Sequence, residues 1–219
     1  WPEAVVHDWK TDPGLLLRIA GIAQRAGAPL VFGMSENAKH LDAEGIPVSG
    51  DAIAKSNRNT AINLDQTGRV VGTYHKNRLV PFSEFTPWMK LIEWPKWIPT
   101  PTEPMLPGAN PGIFHLGDDR AAAPIICWEN LFGDFVRHAV LDDTAVVLHL
   151  VNDNWAGDTL ASRQHNAASV LRAIENRVPV VTASNTGPSQ VVDGYGRLLA
   201  SSPNVLEQGV IIAAIPVRL

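Results

Sequence analysis

Four apolar runs constrain this chain more than any other feature: AAAPIIC (121–127), TAVVLHLVN (144–152), VPVVTAS (178–184) and GVIIAAIPV (209–217). Each is rich in β-branched or small residues and short for a core helix, so each predicts a buried strand. A strand apolar on both sides has both faces covered, which places such runs inside a layered structure. Two segments carry the helical period instead. Asp12–Pro29 (DPGLLLRIAGIAQRAGAP) offers Asp12 as a cap, Pro13 in the first turn, an apolar stripe of Leu15, Leu16, Ile19, Ile22 and Ala23, and Gly27 as a stop. Ala161–Asn176 repeats that spacing through Ala168, Leu171 and Ile174. LVFG (30–33) predicts a short strand. Thr60–Lys76 predicts a hairpin turning at Asp65–Gly68, and Gln190–Ser201 a second one around a glycine-rich turn. Strands mixed with helices, some paired as hairpins, predict an α/β fold of sheets faced by helices, as a single domain over 1–219.

Composition removes several function classes. The chain has 219 residues, 45% of them hydrophobic, enough for a sizeable core. Its net charge of −4 and the absence of any Lys/Arg run give no electrostatic footprint for nucleic acid. The single cysteine cannot form an intrachain disulfide, and with no Cys/His pairs at zinc-ligand spacing it cannot build a thiolate zinc site. No apolar stretch reaches the length of a membrane span, and WPEAVVHDWK at the start lacks the basic head and apolar run of a signal peptide.

Residues 85–112 stand apart. Seven prolines interrupt the segment, while Trp88, Trp94 and Trp97 sit among Met89, Leu91, Ile92 and Ile98. Proline at that density forbids a long regular element, so an irregular apolar arm is predicted. Its tryptophans suit a lipid boundary or a substrate groove; packing onto its own domain or a second subunit accounts for them equally well.

The chemistry centres on Cys127. A thiol attacks as thiolate and needs a base or a cation beside it, whereas an isolated buried cysteine is ordinarily a small hydrophobe. Three polar residues supply the former environment if the fold gathers them: Glu3 in WPE, Lys76 in YHKNRLVPFSE and Glu129 in CWEN. A carboxylate takes a thiol proton, and an ammonium stabilises a developing oxyanion. Each has a plainer reading as well: Glu3 as a solvated terminal charge, Lys76 with Glu84 as a surface pair, Glu129 as a helix-start carboxylate. His115, His149 and His165 read as structural histidines, and Asn152 with Asp153 as turn-holding residues.

Taken in order, WPEA, YHKNRLVPFSEF, IICWENLF, NDNWAGDT, RQHNAASVLRAIENRVPVV and SNTGPSQVVDGYGRLL resemble the nitrilase (carbon–nitrogen hydrolase) superfamily. Within it they resemble the catalytic domain of apolipoprotein N-acyltransferases, and also the nitrilase-like domains of plasmid conjugal-transfer proteins. The resemblance implies a four-layer αββα sandwich whose first strand and helix would lie before Trp1, and a Glu-Lys-Cys triad using no metal or cofactor. By position, Glu3 would be the general base, Lys76 the oxyanion and positioning residue and Cys127 the nucleophile. Glu84 would orient the lysine, Glu129 would support the site, and the Trp128 backbone N–H would complete the oxyanion hole. Asn152, Trp155, Trp88 and Trp94 would contact substrate.

Four departures fall around this set. Trp128, Ala156, Ser83 and Thr182 stand where the acyltransferase pattern usually has Tyr, Phe, Gly and Arg. They spare the triad and touch acyl-chain and acceptor recognition. The resemblance thus implies a thiol acyltransferase moving a fatty acyl group from phospholipid to a lipoprotein N-terminal amine. It would work at a membrane surface, on the periplasmic side of a bacterial inner membrane where membrane helices accompany the domain. A soluble amidase of small substrates, or an assembly role in conjugal transfer, are the alternatives.

Overall fold

The computed structural model describes residues 1–7, 12–37, 57–88, 91–101, 104–117, 120–157, 159–202 and 206–216. It contains two sheets. The first has the order β1-β2-β3-β4, from Val6–His7, Leu30–Asn37, Asn57–Leu64 and Val70–His75. The second comprises β5 (Phe114–His115), β6 (Ala121–Ile126), β7 (Thr144–Val151), β8 (Val180–Ser184), β9 (Gln190–Val192) and β10 (Leu198–Ser201), in the order β10-β9-β8-β7-β6-β5. β6, β7 and β8 are parallel, and the flanking pairs are antiparallel.

Side-chain alternation stacks the layers. On β2, Phe32 and Met34 pack with Ile19 and Ala23 of helix α1 (Pro13–Ala26), while Val31 packs on the other side with the second sheet. On β3, Ile62 and Leu64 face the helix and Ala61 faces the second sheet. Beyond that sheet lie α2 (Gly133–Ala139) and α3 (Leu160–Asn176), burying Phe135, Val136, Ala139 and Ala173. The result is helix, sheet, sheet, helix: the αββα sandwich. Helix α1 forms as its sequence dictates, with the Asp12 carboxylate accepting from Leu15 N–H at 3.1 Å and Gly27 closing the helix at φ 60°.

Three expectations need correction. GVIIAAIPV forms no strand: residues 209–216 pair with neither sheet, and Val210 and Ile212 are 89% and 91% exposed. Apolar content favours a strand only where an edge supplies a ladder, and among the described residues of this segment only Ile215 packs on the core. LVFG underestimates β2, which continues through polar Ser35, Glu36 and Asn37 because β3 supplies Asn59, Arg58 and Asn57 opposite them. Helix α3 is present, but its apolar spacing points outward. Leu171 and Ile174 are exposed, and the buried face is Ser162, His165, Asn166, Ser169, Arg172 and Ala173.

The described part of 85–112 holds only turns and two isolated bridges, Phe85 with Pro81 and Met105 with Asn57. Trp88, Leu91 and Trp97 are 65%, 84% and 82% exposed, whereas Trp94 stands edge-on to Phe82 at 5.0 Å. Met89 lies outside the described residues.

One glycine links this architecture to the chemistry. Gly33 of β2 donates its N–H to Pro2 O at 2.9 Å, and a Cβ there would come within 2.5 Å of Glu3 Cα and of Pro2 O. The segment carrying Glu3 therefore lies directly on a bare stretch of strand. Gly33→Ala should force that segment away at about 1–3 kcal/mol of overpacking. Unfolding measurements should show a loss of at least this size, and a larger one where the shift also parts Glu3 from Lys76.

Candidate active site

β6 delivers Cys127 at its carboxyl end, and the chain turns there into a 3-10 helix, Cys127–Leu131. Cys127 adopts φ 54°, a conformation that costs a non-glycine residue about 1–2 kcal/mol and persists only where surroundings impose it. Two contacts impose it: the Glu129 carboxylate accepts from Ile126 N–H at 2.7 Å, and the Cys127 carbonyl meets two histidines. β4 ends at His75, and the next residue, Lys76, donates its backbone N–H to Asn59 O at 2.8 Å.

The Lys76 ammonium has no exposed surface. Its Nζ lies 2.6 Å from Glu84 Oε1 and 3.7 Å from Glu3 Oε1. Both carboxylates are themselves held. Glu84 Oε2 accepts from Val80 N–H at 2.8 Å, Glu3 Oε2 from Asn152 N–H at 2.7 Å, and Glu3 Oε1 from the Asn59 side-chain amide. A buried ammonium flanked by carboxylates in fixed positions is a built ionic cluster.

The thiol lies in the field of this cluster. Burial pushes the Cys127 thiol upward, Glu3 adds to the effect and Lys76 opposes it. Burial likewise raises the Glu3 carboxyl from the ordinary glutamate value, against the pull of Lys76 and of its hydrogen-bond donors. For Lys76, burial works downward, but the carboxylates of Glu3 and Glu84 raise it, so the ammonium stays charged. The thiol is thus held toward its protonated form, beside a cation and a carboxyl group of increased basicity.

Glu129 joins two loops. Its buried carboxylate accepts from Tyr74 Oη, from the backbone N–H groups of Asn77 and Arg78, and from Ile126 N–H. The loop after Lys76 and the turn before Cys127 are thereby tied to one group. Trp128 is half-buried, its indole N–H donating to Arg78 O and its ring edge-on to Phe132 at 5.1 Å.

The remaining predicted residues are placed differently. Asn152 meets Glu3 through its backbone, while its side-chain oxygen accepts from Asn154 N–H and the Asn185 amide. Trp155 is 72% exposed on a short 3-10 turn. Trp94 donates to Pro87 O within its own arm, and Trp88 faces outward. Sequence reasoning missed Asn59, Tyr74 and the contact of His149 and His165 with the Cys127 carbonyl. The signal lay in polar residues interrupting otherwise buried strands, Asn59 in NRNTAINL and His149 in TAVVLHLVN. Among the described residues no His, Cys, Asp or Glu group has a metal-binding arrangement, and no helix is long and apolar enough to cross a membrane.

The model of the carbon-nitrogen hydrolase family matches residues 3–219. Apolipoprotein N-acyltransferase from Geobacter metallireducens is 30% identical over 210 residues, covering 93% of this chain and 37% of that protein. The one from Rhizobium meliloti is 34% identical over 206 residues, covering 91% and 36%. The chain thus spans little more than a third of these relatives. Among solved structures, an amidase from Nesterenkonia sp. AN1, in a mutant form carrying acrylamide added to its active-site cysteine, superposes with a TM-score of 0.62. It shares 20% identity and covers 95% of this chain and 71% of that one, a likeness of fold. With two facing sheets, a cysteine at a strand end and a family match along nearly its whole length, the chain belongs to the carbon-nitrogen hydrolase family, a family of enzymes.

Proposed function

We propose that the domain catalyses acyl transfer through a thioester on Cys127, with Glu3 as general base and Lys76 as oxyanion donor. The observation that carries this reading is the Lys76 ammonium, wholly buried between Glu84 and Glu3 with the thiol in its field. A cation in that position has little purpose in stability alone, since a buried ion pair is often no better than apolar packing.

The steps follow from the groups present. Sulfur attacks the acyl carbonyl carbon while Glu3 takes the thiol proton, so no free thiolate accumulates. The resulting oxyanion is met by Lys76 Nζ, which has a hydrogen to spare beyond its bond to Glu84, and by the backbone N–H of Trp128. On collapse the acyl carbon–oxygen bond breaks, and the leaving alkoxide takes the proton from Glu3, leaving the thioester. An amine then attacks that thioester, Glu3 accepts one amine proton, and the departing thiolate regains it from Glu3. The product is an amide and the enzyme is restored.

The relatives and the arm support one substrate class. We infer a phospholipid as acyl donor and the N-terminal amine of a lipoprotein as acceptor, with the domain working at a membrane surface on the periplasmic side of a bacterial inner membrane. Trp88, Leu91 and Trp97, all strongly exposed on one proline-rich segment, support a lipid-facing surface. Glu84 and Glu129 act here as positioning residues.

Incubation with a fluorescent phospholipid should give a hydroxylamine-sensitive acyl adduct that is absent from Cys127→Ser. Lys76→Ala should reduce its rate of formation by about 10²–10³, the loss typical of one oxyanion donor. An adduct formed equally well without Lys76 would contradict that assignment. Glu3 must be ionised to act as base, and burial raises its carboxyl above the ordinary glutamate value. The acylation rate should therefore fall as pH is lowered through a midpoint above the usual glutamate range, as stopped-flow pH profiles would show.

A further inference from the structure

The Cys127 carbonyl oxygen lies 2.9 Å from His149 Nε2 and 3.0 Å from His165 Nε2. Two imidazoles therefore converge on one backbone oxygen, and their rings stand nearly perpendicular with centroids 5.2 Å apart. Both histidines are buried, and they come from different layers: His149 from β7 of the second sheet, His165 from α3 behind it.

The partners of the other ring nitrogens fix their roles. His149 Nδ1 faces the hydroxyls of Thr182 and Ser169, each at 3.3 Å, and these can donate to it. Burial, with His165 adding to it, holds the His149 imidazole down at about 3, so the ring is neutral and its Nε2 carries the hydrogen. His165 Nδ1 faces Asp153 Oδ1 at 3.1 Å. A carbonyl oxygen only accepts, so the hydrogen of the Nε2 contact lies on His165. Each ring therefore donates through Nε2 to the same carbonyl.

That carbonyl belongs to the peptide whose N–H is on Trp128. The unit is planar and trans, so the N–H points opposite to the C=O. With the oxygen drawn toward α3, the N–H is aimed away from the helix layer, toward the side from which the first sheet delivers Lys76. In the first turn of its 3-10 helix that N–H has no intrahelical acceptor. Donors on the oxygen also polarise the amide and strengthen its N–H as a donor.

We propose that His149 and His165 are positioning residues for the oxyanion hole: together they clamp the Cys127–Trp128 peptide so that its N–H is aimed and polarised for the oxyanion. Asp153 backs one arm of the clamp, and Thr182 and Ser169 back the other. This rests on the acyl-transfer reading above. It also accounts for the polar buried face of α3, which supplies His165 and Ser169 to the clamp.

Two reactions at the same sulfur separate this role from a merely structural one. Acylation by a p-nitrophenyl ester passes through a tetrahedral oxyanion, whereas alkylation by iodoacetamide displaces iodide at a saturated carbon and forms none. In the intact protein, His149→Leu and His165→Leu should each lower acylation by roughly ten- to thirtyfold, below the loss from a direct donor, with alkylation within about twofold of the parent. His165→Gln, which keeps an N–H near the Nε2 position, should recover most of the acylation rate. Parallel losses in both reactions, or unchanged acylation, would overturn the clamp. If the leucine variants do not fold, glutamine and asparagine at each position give the same readout, because the shorter amide cannot reach the carbonyl. A parent protein that is alkylated but acylated by no ester would instead sink the acyl-transfer reading, and the clamp with it.

Discussion

An ammonium with no exposed surface stays charged only when anions surround it, and that requirement organises this protein. Lys76 is such a group, held at 2.6 Å by Glu84 and at 3.7 Å by Glu3. The three residues reach one point by different routes. Lys76 follows β4, Glu84 lies in the turn that comes after it, and Glu3 lies on the bare backbone of Gly33. Losing one partner would leave a buried charge uncompensated, at about 3–5 kcal/mol by comparison with other buried pairs. The cluster therefore makes the placement of Glu3 a condition of stability as well as of the proposed chemistry.

The two facing sheets give this cluster its target. The first sheet carries Lys76 and receives Glu3, while the second presents Cys127 at the end of its parallel strand β6. Their relative position depends on Glu129, which accepts from Asn77 and Arg78 on one side and from Ile126 on the other. On the helix side of the second sheet, buried polar residues of β7 and α3, His149 and His165, meet the Cys127 carbonyl. Strain at Cys127, φ 54°, is thus sustained from both sides of the sheet.

How much of this was legible in the sequence depended on the kind of signal. The apolar runs at 121–127, 144–152 and 178–184 marked the strands because burial on both faces leaves no polar alternation to misread. Helix α1 announced itself through Asp12, Pro13 and Gly27. GVIIAAIPV misled because the same composition serves a strand or an extended strap, and only an available edge decides between them. Helix α3 misled in another way: Leu171 and Ile174 face outward, and its inward face is mostly polar, with His165 and Ser169 among its buried residues. Within the site, Glu3, Lys76, Glu84, Cys127 and Glu129 were singled out through motif resemblance and chemistry. Asn59, His149 and His165 were not, since a polar residue inside a strand reveals its partner only when the fold brings the two together.

On the proposed mechanism Cys127 rests as a thiol and is deprotonated by Glu3 during attack, while Lys76 remains charged between its carboxylates. Ultraviolet titration of the Cys127 thiolate tests this directly, with Cys127→Ser as the blank. Burial and Glu3 predict little thiolate at neutral pH and a signal that grows only in alkaline solution. A full thiolate signal at neutral pH that disappears in Lys76→Met would show a resting thiolate–ammonium pair and contradict the account.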